Sequence, residues 1–144
     1  GWMRLIQRGL PLRPLLAADT IVVFRGKIIG KPDNLVHGRK MLSTLSGQTH
    51  KVLTAVVVVA KNKIQKSLST TTIRFRDISQ SEITNYLNGT ESHDRAGSYA
   101  MQGRAAVFIM KISGSYSGAL GLPIFETAQL LEKFNIKILH QIDK

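Results

Sequence analysis

The sequence predicts an α/β fold, built on one mixed, twisted sheet with helices packed against it. Three observations lead to this prediction. Apolar β-branched runs typical of strands recur, amphipathic stretches show helical periodicity, and the two alternate along the chain without an internal repeat or low-complexity segment. A length of 144 residues suits one domain with a substantial core.

The first predicted strand is the apolar run Ile21-Val22-Val23-Phe24, which is typical of a strand buried on both faces. Asp19 precedes it, and burying an unpaired carboxylate is costly. We therefore expect Asp19 at the end of the strand, where it either caps the strand or faces a ligand. A turn at Arg25-Gly26 returns the chain toward Lys31, so one hairpin brings an acid and a lysine close together.

A helix is predicted next, with Asp33 as its N-cap after Pro32 and apolar residues at helical spacing. It ends at Ser46-Gly47, where the glycine suits a left-handed cap. A long strand then covers residues 48–60, Asn62 falls in a turn, and a second strand covers residues 67–75.

The second half of the chain begins with a capping box in which Ser79 and Glu82 start a helix that ends at Asn88-Gly89. A strand is predicted over residues 105–112, followed by a glycine-rich loop. Pro123 opens the last helix, whose apolar face includes Leu130, Leu131 and Phe134. Residues 136–139 are predicted to form a short closing strand.

The composition excludes several classes of protein. Cysteine is absent, which excludes disulfides and thiolate chemistry and fits a cytoplasmic location. No apolar run approaches the roughly 20 residues that span a bilayer, so no membrane partner is expected. The net charge of +11 attracts polyanions. Because the basic residues are scattered and aromatic residues make up only 6%, nucleic-acid binding is the less favoured use of this charge.

Residues 1–16 do not resemble the start of a domain. Trp2, Leu5 and Leu10 are apolar, but Pro11 and Pro14 stop any helix before the first strand. We expect residues 1–16 to be the remnant of an N-terminal helix and a connecting loop, and residues 17–144 to form the domain.

Four polar clusters lie at the junctions between elements, where sites on α/β sheets usually occur. They are Asp19-Thr20 with Lys31, residues 46–50, residues 93–103, and residues 114–123. Each alone has a structural explanation as a cap or a turn. The chain contains no G-x-x-x-x-G-K-[ST] or G-x-G-x-x-G motif, and no nucleophile elbow. His50 and His93 have no partner at metal-ligand spacing.

Taken together, the clusters resemble the Maf family of nucleoside triphosphate pyrophosphatases, named for septum-formation inhibition. The resemblance extends over most of the chain. It is carried by Ala18-Asp19-Thr20, Gly30-Lys31-Pro32, Leu45-Ser46-Gly47-Gln48-Thr49-His50, Asp94-Arg95-Ala96-Gly97-Ser98-Tyr99-Ala100-Met101-Gln102-Gly103, Gly114-Ser115-Tyr116 and Gly121-Leu122-Pro123. Within the family, the run through Gln102-Gly103 is similar to the branch acting on dTTP and UTP.

The resemblance implies a Maf/inosine-triphosphatase-like fold of two lobes around a cleft, and hydrolysis of a nucleoside triphosphate to the monophosphate and pyrophosphate. It implies a divalent cation, Mg²⁺ or Mn²⁺. Asp19 falls on the catalytic aspartate, Lys31 on a phosphate-contacting lysine, and Thr20 and Gln102 on positions linked to base selection. Asp94 is expected in the site, either on the metal or orienting Arg95. Arg95 stands where most relatives have lysine, and its planar fork differs from a point charge.

The family's opening S-x-S-P-R-R loop, which grips phosphates, has no counterpart in this sequence. We therefore expect the N-terminal strand and loop to be missing, and two alternatives stay open. One is a truncated, catalytically weak nucleotide-binding or regulatory relative, and the other is a basic nucleic-acid-binding module. A homodimer is also expected, because family members pair and an absent first strand would leave a sheet edge exposed. A link to cell-division arrest follows only from the family's name.

Overall fold

The computed structural model describes residues 13–139, which form a five-stranded sheet and several helices. In sheet order the strands are β2 (Lys27–Ile29), β1 (Leu15–Phe24), β3 (Thr49–Ala60), β4 (Lys63–Phe75) and β5 (Ile109–Ser113). The α-helices are α1 (Leu35–Leu45), α2 (Gln80–Leu87), α3 (Tyr116–Ala119) and α4 (Ile124–Glu132), and two 3₁₀ helices cover Ala96–Ser98 and Arg104–Phe108. The α/β class is confirmed. The expected remnant at residues 1–16 lies mostly outside the described residues.

The pairings between the described strands are all antiparallel, although the sequence suggested a mixed sheet. The turns explain this difference. Arg25 and Gly26, with φ of 50° and 75°, join β1 to β2, and the turn at Lys61 (φ 36°) joins β3 to β4. Two-residue turns of this kind connect antiparallel neighbours only.

The first strand begins at Leu15, six positions before the predicted run, and the placement of Asp19 at its end is wrong. Asp19 lies in the middle of β1, opposite Ala55 of β3. Among the described strands, β2 pairs with β1 only from Val22 onward, so the outer edge of Leu15–Ile21 has no strand beside it. Asp19 is exposed there, and its charge needs no burial.

The helix signals are largely confirmed. The N-cap of α1 is Asn34 rather than Asp33, because the Asn34 side chain accepts a hydrogen bond from the His37 backbone N–H at 2.8 Å. Gly47 has the predicted left-handed conformation, with φ of 68°. The capping box of Ser79 and Glu82 is present at the start of α2.

Of the two strands predicted in the second half, the strand over residues 105–112 is confirmed only from Ile109 onward, and the closing strand over residues 136–139 is wrong. Residues 104–108 form a 3₁₀ helix, because the Arg104 backbone N–H donates to both carboxylate oxygens of Glu91 and holds the chain in a turn. The strand β5 starts only at Ile109. Residues 136–139 form no strand, since the Ile136 N–H already donates to the Leu131 carbonyl beyond the end of α4.

The described core lies on one face of the sheet. In its main cluster, residues of the sheet pack against the helices α1 and α2. The strand residues are Val22, Val52, Ile73 and Phe75, and the helix residues are Leu42, Leu45, Ile83, Tyr86 and Leu87. In a second cluster Leu130 packs against Val56 and Val58, and the predicted apolar face of the last helix is confirmed. No helix among the described residues is long and apolar enough to cross a membrane.

Candidate functional site

A cavity of about 250 Å³ lies beside the middle of β1. Val22, Val52 and Tyr99 supply buried parts of its wall. Its polar and charged lining comes from β1, from the segment after β2, and from the loops between α2 and β5. The cavity thereby brings together all the site residues predicted from the sequence: Asp19, Thr20, Lys31, Asp94, Arg95 and Gln102.

Lys31 and Asp94 form an ion pair at the cavity, with Lys31 Nζ 3.1 Å from Asp94 Oδ1. The backbone N–H of Gly97 donates to the Gly30 carbonyl at 3.1 Å and ties the two segments together. Both side chains of the pair are largely exposed, at 61% and 85%. Exposed pairs contribute only about 0 to 1 kcal/mol, so an anionic ligand can replace Asp94 beside Lys31 at little cost.

Asp19 presents its carboxylate to the cavity from the exposed part of β1. Its Oδ1 accepts a hydrogen bond from the Thr20 backbone N–H at 3.0 Å. No cationic side chain of residues 13–139 pairs with it. The carboxylate is therefore open to a proton, a cation or a water molecule.

Thr20 is hydrogen-bonded to Thr54, a residue that the sequence analysis did not identify as part of the site. The Thr20 Oγ1 lies 2.9 Å from Thr54 Oγ1, and Thr54 donates to the Gly118 carbonyl at 2.6 Å. Thr54 sits inside an apolar run whose pattern indicates only core. The strand register, which places Thr54 opposite Thr20, reveals the contact.

Gln102 is carried by a turn that Glu91 fixes. The two Glu91 carboxylate oxygens accept from the Arg104 N–H at 2.9 and 2.8 Å. A Cβ at position 103 would lie 2.5 Å from this carboxylate, so a larger residue there would displace the Glu91 side chain from its bond to the Arg104 N–H. The close approach of the Glu91 carboxylate thus explains why a glycine suits position 103 of the predicted motif.

The cluster at residues 46–50 does not line the cavity. Ser46 Oγ accepts from the Ile78 backbone N–H at 2.7 Å, which joins the end of α1 to the start of α2. His50 is buried below the cavity wall, with Nε2 2.6 Å from the Tyr99 hydroxyl and the Phe75 ring at its edge. Burial lowers the pKa of His50 to about 4 and raises the pKa of Tyr99. Both groups are therefore neutral at physiological pH.

The donor set at the cavity bears on the expected cation. Among the described residues no group of three or more His, Cys, Asp or Glu side chains could hold a metal ion. Two carboxylates, Asp19 and Asp94, do line the cavity. Mg²⁺ is commonly bound by one or two carboxylates together with substrate phosphates. These residues fit a cation that is shared with a polyphosphate, rather than a site made by protein ligands alone.

A family model described as "Maf-like protein" matches residues 4–134. The chain belongs to the Maf-like family. The resemblance drawn from the ordered clusters is thereby confirmed.

Several curated proteins are similar to this chain in sequence. A dTTP/UTP pyrophosphatase of Nitrosomonas europaea is 57% identical, over 96% of this chain and 67% of that protein. Proteins of the same name from Nitrosospira multiformis and Chromobacterium violaceum are 54% and 44% identical, over 67% and 70% of their lengths. The chain spans about two thirds of the length of these relatives. The similarity to the dTTP/UTP branch is confirmed as well.

Proposed function

We propose that this chain hydrolyses dTTP and UTP to the nucleoside monophosphate and pyrophosphate. The observation that carries the proposal is the convergence of six polar residues, from four separate places in the sequence, on one cavity. Supporting it, relatives that are 57% and 54% identical are named dTTP/UTP pyrophosphatases. The cavity holds both a carboxylate without a cationic partner among residues 13–139 and two cationic side chains, as attack of water on a polyphosphate requires.

The proposed roles follow from charge and position. Lys31 leaves Asp94 and contacts the phosphates, and Arg95 offsets the negative charge that develops on the leaving pyrophosphate. Asp19 accepts the proton of the attacking water. Thr20 and Gln102 contact the base.

A divalent cation, Mg²⁺ or Mn²⁺, is part of the proposal. Asp19 would hold it, and Asp94 once released from Lys31 would be its second carboxylate. When bound, such a cation supplies charge neutralisation at the phosphate oxygens.

The test is pyrophosphate release by the purified chain with dTTP, UTP, CTP, dATP and GTP, with Mg²⁺, with Mn²⁺ and with a chelator. We expect release from dTTP and UTP that stops when the cation is removed. Nucleotide binding seen by calorimetry with no product on long incubation would contradict hydrolysis, and would favour a binding or regulatory protein. Retention of DNA or RNA at low salt, lost steeply as salt rises, would favour the nucleic-acid alternative.

A second copy of this chain is the proposed protein partner. The outer edge of β1 carries backbone groups with no partner strand among the described strands, and the adjoining sheet face exposes Leu68 at 61%. Open edges of this kind favour association between chains.

Sedimentation equilibrium tests this dimer. We expect a monomer–dimer equilibrium that Ala17→Lys shifts toward monomer, because Ala17 is exposed at the open edge. The matched control is Val107→Lys, a change to lysine at a residue that is 67% exposed and lies outside the sheet. A monomer at all concentrations, or equal effects of both variants, contradicts association through this edge.

We also propose a cytoplasmic location, because nucleoside triphosphates are the substrate and the chain has no cysteine. The link to cell-division arrest stays a prediction from the family's name.

A further inference from the structure

The hydroxyl of Thr54 has only one proton, and the structure determines where it goes. Thr54 Oγ1 lies 2.6 Å from the Gly118 carbonyl oxygen, which can only accept. Thr54 is fully buried, so no bulk water competes for this bond. The proton of Thr54 therefore points to Gly118.

The direction of the neighbouring hydrogen bond follows from this. The two threonine hydroxyl oxygens are 2.9 Å apart, within hydrogen-bond distance. Since the Thr54 hydroxyl already donates its hydrogen bond to the Gly118 carbonyl, Thr20 must be the donor between the two threonines. Thr20 lines the cavity, and its Oγ1 is then left with lone pairs only, so through this atom it can act toward a ligand only as an acceptor.

We propose that Thr54 is a positioning residue for base specificity, because it fixes Thr20 as a hydrogen-bond acceptor at the substrate cavity. This inference rests on the proposed function. Uracil and thymine carry a proton on N3 and can donate to such an acceptor. The contact proposed is the one to N3 of the base: N3 of cytosine is unprotonated and accepts, so two acceptors would face each other there and this contact would be lost. The relay Thr20–Thr54–Gly118 thus favours dTTP and UTP over CTP.

The experiment compares kcat/KM for UTP and CTP in the parent chain and in Thr54→Val. Valine has the shape of threonine without the hydroxyl, so Thr20 is free to rotate and can donate as well as accept. We expect the UTP-to-CTP ratio to fall by about three- to tenfold, the effect of one hydrogen bond. The change should appear mainly as a lower KM for CTP, because the contact is to the base and not to the reacting phosphates.

Two variants control for structural effects. Thr54→Ser keeps the hydroxyl and should restore the parent ratio. Thr71 is another fully buried threonine, which donates to the Ser115 carbonyl at 2.9 Å, whereas the hydroxyl partner of Thr20 is Thr54. Thr71→Val should leave the ratio unchanged even where it lowers stability. If Thr54→Val does not fold, Thr54→Ala serves as the test.

The outcomes separate this inference from the proposed function. If the parent chain releases no pyrophosphate from any nucleotide, the proposed function fails and the inference fails with it. If the parent prefers UTP and Thr54→Val keeps that ratio, the function stands and the role of Thr54 is overturned. An equal loss of kcat/KM for both nucleotides would also overturn it, since a structural defect alone gives that result.

Discussion

Asp19→Asn is expected to lower kcat for pyrophosphate release by at least about 100-fold, the lower end of what a general base contributes. Asparagine keeps the oxygen that accepts from the Thr20 N–H at 3.0 Å, so the local backbone is preserved. What is lost is the negative charge, and with it the capacity to take a proton from water or to hold a cation. Initial-rate kinetics with UTP and saturating Mg²⁺ measure the effect.

The matched control is Asp33→Asn, which removes an exposed carboxylate that does not line the cavity. It should retain parent activity, and both variants should unfold within about 0.5 kcal/mol of the parent. An Asp19→Asn chain with undiminished kcat would remove Asp19 from the mechanism. A loss of activity accompanied by equal loss in Asp33→Asn would point to net charge and not to position.

The stability of the fold is expected to fall between about pH 6.5 and pH 4 because of His50. Burial lowers its pKa from 6.5 to about 4 in the folded chain. Below pH 6.5 the unfolded chain binds a proton at His50 that the folded chain does not, so acidification favours unfolding until the folded pKa is passed. The shift corresponds to a loss on the order of 3 kcal/mol across this interval. Urea unfolding at several pH values measures it.

His50→Gln should flatten this part of the pH profile, whereas the change of the exposed His93 to glutamine should leave it unchanged. Glu82 also affects the stability of the fold, but at lower pH than His50. The hydrogen bonds from Arg76, and from the Ser79 backbone, lower the pKa of Glu82 from 4.5 to about 2, so its contribution is lost as the pH falls from 4.5 toward 2. A His50→Gln chain with the parent slope between pH 6.5 and 4 would show that another group titrates there.

The helices could be predicted because their signals are local. A serine three residues before a glutamate forms the capping box of α2, and Gly47 takes the left-handed conformation after α1 through its own lack of a Cβ. The N-cap of α1 was misplaced by one residue, since Asp33 and Asn34 are both good caps and only the His37 N–H distinguishes them.

The strands were predicted less well because their limits depend on distant partners. Leu15 to Thr20 extend β1 by pairing with residues 54–59 of β3, more than 30 positions away. Residues 104–108 have a composition typical of a strand but form a 3₁₀ helix, because Glu91 binds the Arg104 N–H. Neither the pairing with β3 nor the contact with Glu91 can be inferred from the sequence of the segment concerned.

The sequence by itself determined the fold class, the helix caps and, through the ordered clusters, the family and the residues that gather at the cavity. Their roles there stay predictions. The tertiary structure alone decided that Asp19 lies within β1, that Lys31 meets Asp94 at 3.1 Å, and that Thr54 stands behind Thr20. The physical reason is that caps and turns act within a few residues, whereas hydrogen-bond direction and cavity shape depend on which strands and loops are brought into contact.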